Sequence, residues 1–286
     1  KHYQPDNAVL VVAGKFDPDK TLGWVNKYFA PIPKPTRKLD TLYTVEPVQD
    51  GERSFVIRRV GDVQLLSLAY HVPSAQHEDF PAIQMLNTVL ADTPTGRLHK
   101  ALVEKKLAAS VSGYAGQFHD PGLSMFFVTL GRSDAIEPAR DAMLKNVEAL
   151  ASEPITAGEL ERARSKYLKQ FDLNLAATES AAIGLTSTIA LGDWRLLFYD
   201  RDRVKKLAVA DVQRVADKYF KPSNRTLGQF IPTEKPDRAE IPAVPNVAEL
   251  LKGILYPSHA IEANGMESVV RRMTRHKLYF QRNGYE

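Results

Sequence analysis

The sequence predicts an α+β fold, a mainly antiparallel sheet covered by helices on one face, and three observations carry that prediction. Strand-like runs come in pairs, 55–60 with 63–72 and 110–117 with 123–131. Helical patterns come in groups between and after these pairs, whereas strict strand–helix alternation would argue a parallel sheet. A last strand-like run, Arg225 to Ile231, closes the pattern.

The elements follow in order. Ala8 to Gly14 is a near-continuous apolar run, read as a buried strand. Asp17 and Pro18 supply an N-cap and a first helical residue, and that helix, bearing Leu22, Trp24, Val25 and Phe29, stops at Pro31. Residues 36–52 are polar and read as a linker. Phe55–Val60 and Val63–Val72 flank Gly61-Asp62, a hairpin signal. A helix over 77–91 follows, with Phe80, Ile83, Leu86 and Leu90 on one stripe, and Thr95 is expected to cap another from Gly96 to Leu107. Ser110–Gln117 and Leu123–Gly131 read as an antiparallel pair. Ser133 or Asp134 should open a helix running to about Glu153. Thr156 and Glu159 form a capping box at the head of a long helix. Its Ala-rich second half, to Ala190, predicts close helix contacts. Trp194–Tyr199 and Val209–Phe220 read as further helices. The Trp and Tyr residues lie on helical stripes and read as core.

One stretch occurs twice. Tyr219-Phe220-Lys221-Pro222-Ser223-Asn224-Arg225-Thr226-Leu227 repeats the pattern of His2-Tyr3-Gln4-Pro5-Asp6-Asn7-Ala8-Val9-Leu10: aromatic, x, Pro, x, Asn, x, x, Leu. Pro fixes φ and Asn favours turns, so each copy should turn the chain into a strand. Phe and Pro follow both copies (Phe16, Pro18; Phe230, Pro232). A repeat one domain length apart implies two homologous domains, of which the chain holds the end of the first and all of the second. The organisation expected is a closing strand and helix at 1–35, a linker at 36–52, a domain at 53–232, a Pro-rich linker at 233–253 and a tail at 254–286.

Composition excludes several classes. The 286 residues are 44% hydrophobic and 25% charged, an ordinary globular balance. No apolar run is long enough to span a bilayer. The net charge of +4 is mild, and the last 33 residues hold five basic against three acidic side chains, so the body offers no basic face for nucleic acid. The absence of Cys removes disulfides, thiolate metal sites and Cys nucleophiles, and it suits an oxidising compartment. The chain begins at Lys1 without a signal peptide and reads as processed or trimmed. Leu278-Tyr279-Phe280-Gln281 is similar to part of a cleavable tag, which leaves a native and a vector-derived origin open for 254–286.

The opening run, HYQPDNAVLVVAGKFDPD with KYFAPIPKP, resembles the end of the catalytic domain in the insulinase/pitrilysin family of zinc metallopeptidases. Thr95-Gly96-Arg97-Leu98, continuing through Ala101-Leu102-Val103-Glu104 to Leu107-Ala108, is similar to a hallmark helix of that family's non-catalytic second domain. The Pro-x-Asn turn before the last strand matches as well, so the resemblance covers about residues 1–250. It implies a metallohydrolase-like fold of the insulinase/mitochondrial processing peptidase type. It also implies a role in enclosing and binding peptide substrate, with the catalytic domain of the same polypeptide as partner. A bacterial periplasmic or secreted location and homo-oligomerisation are compatible with it. The alternative is a zinc-free scaffold or assembly subunit of the same family.

The family's zinc site resembles His-x-x-Glu-His, two His on one helical face with a Glu that activates water. Here only His259-Ala260-Ile261-Glu262 gives His-x-x-Glu, and Ala263 stands where the second His is needed. The expectation is therefore that this chain binds no cofactor, carries no catalytic residue and is inactive alone, with zinc belonging to the intact enzyme by resemblance. The other candidates have plainer readings. His71, His77, Glu78 and Asp79 fit a strand end and an exposed helix start, where acidic residues suit the dipole. His119-Asp120 before Pro121-Gly122 reads as a hairpin turn. Ser124 and Ser180 lack a nucleophile elbow. Arg97 could meet a peptide carboxylate but is better read as a structural ion pair. Gly14, Gly96 and Gly131 lack phosphate-loop spacing.

Overall fold

Residues 2–40 and 46–252 are described in the computed structural model, which divides into two units, Lys1–Pro236 and Asp237–Glu286. His259, Glu262 and 278–281 lie outside the described residues.

In the first unit, α1 (Pro18–Phe29) begins as its sequence dictates: the Asp17 carboxylate accepts the Lys20 N–H and Pro18 takes the first helical position. The run at 8–14 is not the buried strand expected. It pairs with no strand among the described residues, and Val9 and Leu10 are 64% and 55% exposed. Apolar composition makes a strand only where a neighbour completes the backbone ladder.

β1 (Arg53–Arg59), β2 (Val63–Val72), β3 (Ser110–Ala115), β4 (Gly122–Gly131) and β5 (Arg225–Pro232) form one sheet in the order β1-β5-β2-β4-β3. Only β1 and β5 run parallel; the other three pairings are antiparallel. The hairpin expected between β1 and β2 is not formed, because β5 lies between them. A Cβ at Gly61 would sit 2.9 Å from the Phe230 ring of β5, so the connection presses against the inserted strand. A Gly-Asp turn signal is the same for a hairpin and for a crossover of one strand.

The helices correct several boundaries. α2 (Phe80–Ala91) starts after the turn at 77–79. Thr95 caps nothing; its hydroxyl donates to Asp92, and the helix after it shrinks to a π-turn at His99–Val103. Asp134 is used at the end of β4, where its carboxylate accepts the Gly131 N–H at 2.7 Å, so α3 runs from Ile136 to Glu148. The Thr156–Glu159 capping box is present and opens α4 (Ala157–Ala176). Ala177 is extended and breaks the long helix, giving α5 (Thr178–Ala190), of which only Thr188 is buried. α5 packs on α4 as its composition predicts, yet leaves most of its side chains exposed. α6 spans Leu196–Lys206 and α7 Val209–Tyr219. Trp24 and Trp194 are each 51% exposed rather than core.

Alternation along the strands divides the sheet into two faces. Leu66, Leu68, Tyr70 and Val72 of β2 and Phe126, Val128 and Leu130 of β4 are buried against Ile83 and Leu86 of α2, Met143 of α3 and Val215 of α7. Each such side chain contributes about 1.5–3 kcal/mol of transfer free energy. The opposite face carries Phe55, Ile57 and Leu65, all exposed, so among the described residues helices cover one face only.

The repeated stretch has a repeated geometry. Pro5–Asn7 and Pro222–Asn224 each form one turn of 3₁₀ helix. In each, the Asn side chain donates back to a carbonyl five residues earlier, Asn7 to His2 at 3.0 Å and Asn224 to Tyr219 at 2.8 Å. The second copy is anchored by Phe220, whose ring lies 5.0 Å from that of Tyr70 and 6.0 Å from that of Phe126. Its counterpart Tyr3 is exposed.

The second unit, described to residue 252, is exposed chain through Asn246 and a short helix, Val247–Leu250.

Candidate functional site

β3 is an edge strand, and its sequence explains what it offers. Ser110-Val-Ser-Gly-Tyr-Ala115 carries no charge and no Pro. Its only strand neighbour among the described residues is β4. The Gly116 N–H donates to the Leu123 carbonyl in register with the Ser110–Thr129 pairing and sets the phase of the ladder, while the Ala109 N–H also reaches Thr129 from one residue out of register. Antiparallel bonding alternates along a strand. Ser112 and Tyr114 therefore bond inward to β4, while the N–H and C=O groups of Val111, Gly113 and Ala115 point out of the sheet edge. The other edge, β1, differs: Arg53, Arg58 and Arg59 guard it.

Two adjoining hollows of about 410 and 420 Å³ run along β3. Gln84, Asn87 and Thr88 of α2 line both, and Lys166, Tyr167 and Gln170 of α4 line the first. Tyr114 and Phe118 line the second. Gly113 is required here: a Cβ would meet Ala91 at 2.7 Å, Phe126 at 2.9 Å and the Asn87 side-chain oxygen at 3.1 Å. Asn87 donates to the buried Ser124 hydroxyl at 3.0 Å, which pins α2 to β4. Lys166 pairs with Asp92 at one end of the groove. Burial opposes the Asp92 charge, but Lys166 and Thr95 outweigh it and hold the carboxyl below its ordinary range. Burial, followed by the nearby Asp200 charge, pushes the Tyr167 hydroxyl up to about 12.

The candidates singled out by sequence fall in different places. Asp79 is not on an exposed helix start but 0% exposed, and it faces Arg214 at 2.6 Å, Lys218 at 2.8 Å and the Tyr219 hydroxyl at 2.7 Å. Burial works against its charge, and these donors win, keeping the carboxyl well below the carboxylate range. Its neighbour Glu78 is exposed, and His77 accepts the Asp79 N–H. His71 lies 3.7 Å from Glu46. His119 and Asp120 face each other at 3.2 Å in the exposed β3–β4 turn. Arg97 is an ion pair: it grips both Glu159 oxygens and the carbonyls of Glu153 and Pro154. That pairing holds Glu159 at about 2. Ser124 is Asn87's acceptor, and Ser180 is exposed on α5. Among the described residues no three His, Asp or Glu converge as a metal ligand set.

Two arrangements escaped sequence reasoning. Gln49, 7% exposed, donates to the Arg225 carbonyl at 2.7 Å, tying the segment before β1 to the head of β5. Arg225 also bridges Glu52 and Glu148, and Glu148 accepts from Tyr70. The β3 edge was legible only as an uncharged strand; its position at the sheet border needed the topology.

Comparison with known proteins agrees with this fold. A family model described as the peptidase M16 inactive domain matches residues 1–167, more than half of the chain. The zinc protease PqqE of Helicobacter pylori is 28% identical over 228 residues, covering 79% of this chain and 51% of that protein. A solved inactive peptidase domain from Bordetella parapertussis is 43% identical, with a TM-score of 0.57 over 65% of this chain and 99% of that one. A solved protease from Helicobacter pylori is 26% identical, with a TM-score of 0.75 over 80% and 56%. The chain thus spans about half the length of the curated relative it matches. It belongs to the peptidase M16 family, as an inactive domain of that family.

Proposed function

We propose that this non-catalytic domain helps to enclose and bind peptide substrate for a zinc-dependent metalloendopeptidase, holding an extended segment on the free edge of β3. The observation that carries this reading is the β3 edge itself, uncharged, unpaired among the described residues and bordered by a groove. A peptide laid there gains backbone hydrogen bonds from Val111, Gly113 and Ala115, the strand-addition mode of recognition. The Arg-guarded β1 edge is the poorer template. The open sheet face, with Phe55, Ile57 and Leu65 exposed, suits packing against the catalytic domain of the same polypeptide. Zinc in the intact enzyme is supported by the relatives described as zinc proteases. An extracytoplasmic location accords with a chain free of Cys. No helix among the described residues is long and apolar enough to cross a membrane.

The test is anisotropy with a labelled nine-residue peptide and a twin N-methylated at alternate amides. The parent peptide should bind and the N-methylated twin should lose most of its affinity. Equal binding by the two would remove strand addition as the mode.

A further inference from the structure

We infer that the β3 groove selects peptide segments of alternating polarity, with uncharged polar side chains on one side and aromatic or aliphatic ones on the other. This rests on the strand-addition reading and deepens it to a substrate class. A strand added beside β3 inherits the pleat of the sheet, so its side chains alternate between the two faces. At this edge the two faces differ in chemistry. The helix side presents carboxamides and a hydroxyl, Gln84, Asn87 and Thr88 of α2 with Gln170 of α4. Asn87, 5% exposed, is fixed there by Ser124, with its side-chain oxygen on the helix side of Gly113. The groove's charged residues, Lys166 and Asp92, are paired with each other. A charged peptide side chain on this side would lose water without gaining a counter-ion, whereas Ser, Thr, Asn or Gln finds partners.

The open side is aromatic. Tyr114 is 52% exposed and its ring stacks on Phe127 at 6.2 Å, so it is held in place before any ligand arrives. Phe118, 56% exposed, lies in the turn beside Gly116 and Gly122 and lines the second hollow. Exposed aromatic rings held in place favour apolar and aromatic partners beyond area burial. Six residues of β3 accept a segment of similar length, which places about three side chains on each side.

The experiment compares two labelled peptides of identical composition from Thr, Gln, Val and Phe, one strictly alternating and one with the apolar residues in a single block. The full chain should bind the alternating peptide about fivefold tighter. Tyr114→Ala with Phe118→Ala should bring the ratio near one. Tyr114→Phe alone should keep the preference. Equal affinity of the two peptides for the unaltered chain, with N-methylation still weakening both, would overturn the selectivity and leave strand addition standing. Insensitivity to N-methylation would overturn both.

Discussion

Replacing Asp79 by Asn removes one buried charge without changing the size of the side chain, and the consequence can be worked from three distances. Arg214, Lys218 and Tyr219 of α7 converge on the Asp79 carboxylate at 2.6, 2.8 and 2.7 Å, and the carboxylate is 0% exposed. Charge-assisted bonds contribute about 1.5–3 kcal/mol each. Arg214 and Lys218 are themselves half exposed, at 51% and 50%, so solvent screens them and both recover water when the charge is lost. Tyr219 can rotate to keep one bond. The expected loss is about 2 kcal/mol, a fall of roughly 1 M in the urea midpoint at a slope near 2 kcal/mol/M. The pH dependence has a fixed sign. The folded Asp79 pKa lies below its unfolded value of 3.8, so the stabilisation is full above about pH 5 and fades as pH falls toward the depressed folded value. The two proteins should therefore differ at pH 7 and converge in acid. Urea titrations at several pH values read this directly. A midpoint unchanged at pH 7, or a gap that widens in acid, would refute the reasoning.

Further outcomes follow from other sites. Gly113→Val drives a side chain into Ala91 and Phe126 and should cost about 1–3 kcal/mol by overpacking, seen as a lowered Tm, while also narrowing the peptide groove. Glu159→Gln should destabilise the junction of Arg97 with α4 by about 1–3 kcal/mol at pH 7. Since Glu159 titrates at about 2 when folded against 4.5 otherwise, that difference should fade between pH 5 and pH 2. Stoichiometric zinc should leave the Tm of this chain unchanged in calorimetry; a clear rise would reveal a ligand set outside the arrangement described.

Local chemistry was readable where a residue acts on its near neighbours. Asp17-Pro18 and Thr156–Glu159 cap helices as their spacing demands, and both Pro-x-Asn turns form the same bond from the Asn side chain to a carbonyl five residues earlier. The alternation of β2 and β4 gave the buried face directly. What the sequence concealed depends on partners far along the chain. β5 enters between β1 and β2 from the end of the domain, and no local signal at Gly61-Asp62 distinguishes a crossover from a hairpin. Asp79 reads as a helix-start acid until α7 brings Arg214 and Lys218 onto it. Thr95 and Asp134 fit cap positions by type, and each hydroxyl or carboxylate went to a closer competitor. The candidate site was hidden for the same reason, because an edge is a property of the assembled sheet.

The most direct test of peptide holding is amide hydrogen exchange along β3 with and without a bound nine-residue peptide. The account predicts slowed exchange at Val111, Gly113 and Ala115, with Ser112 and Tyr114 already protected by β4 and the β1 edge unchanged. Peptide binding that protects β1, or no strand edge at all, would contradict it.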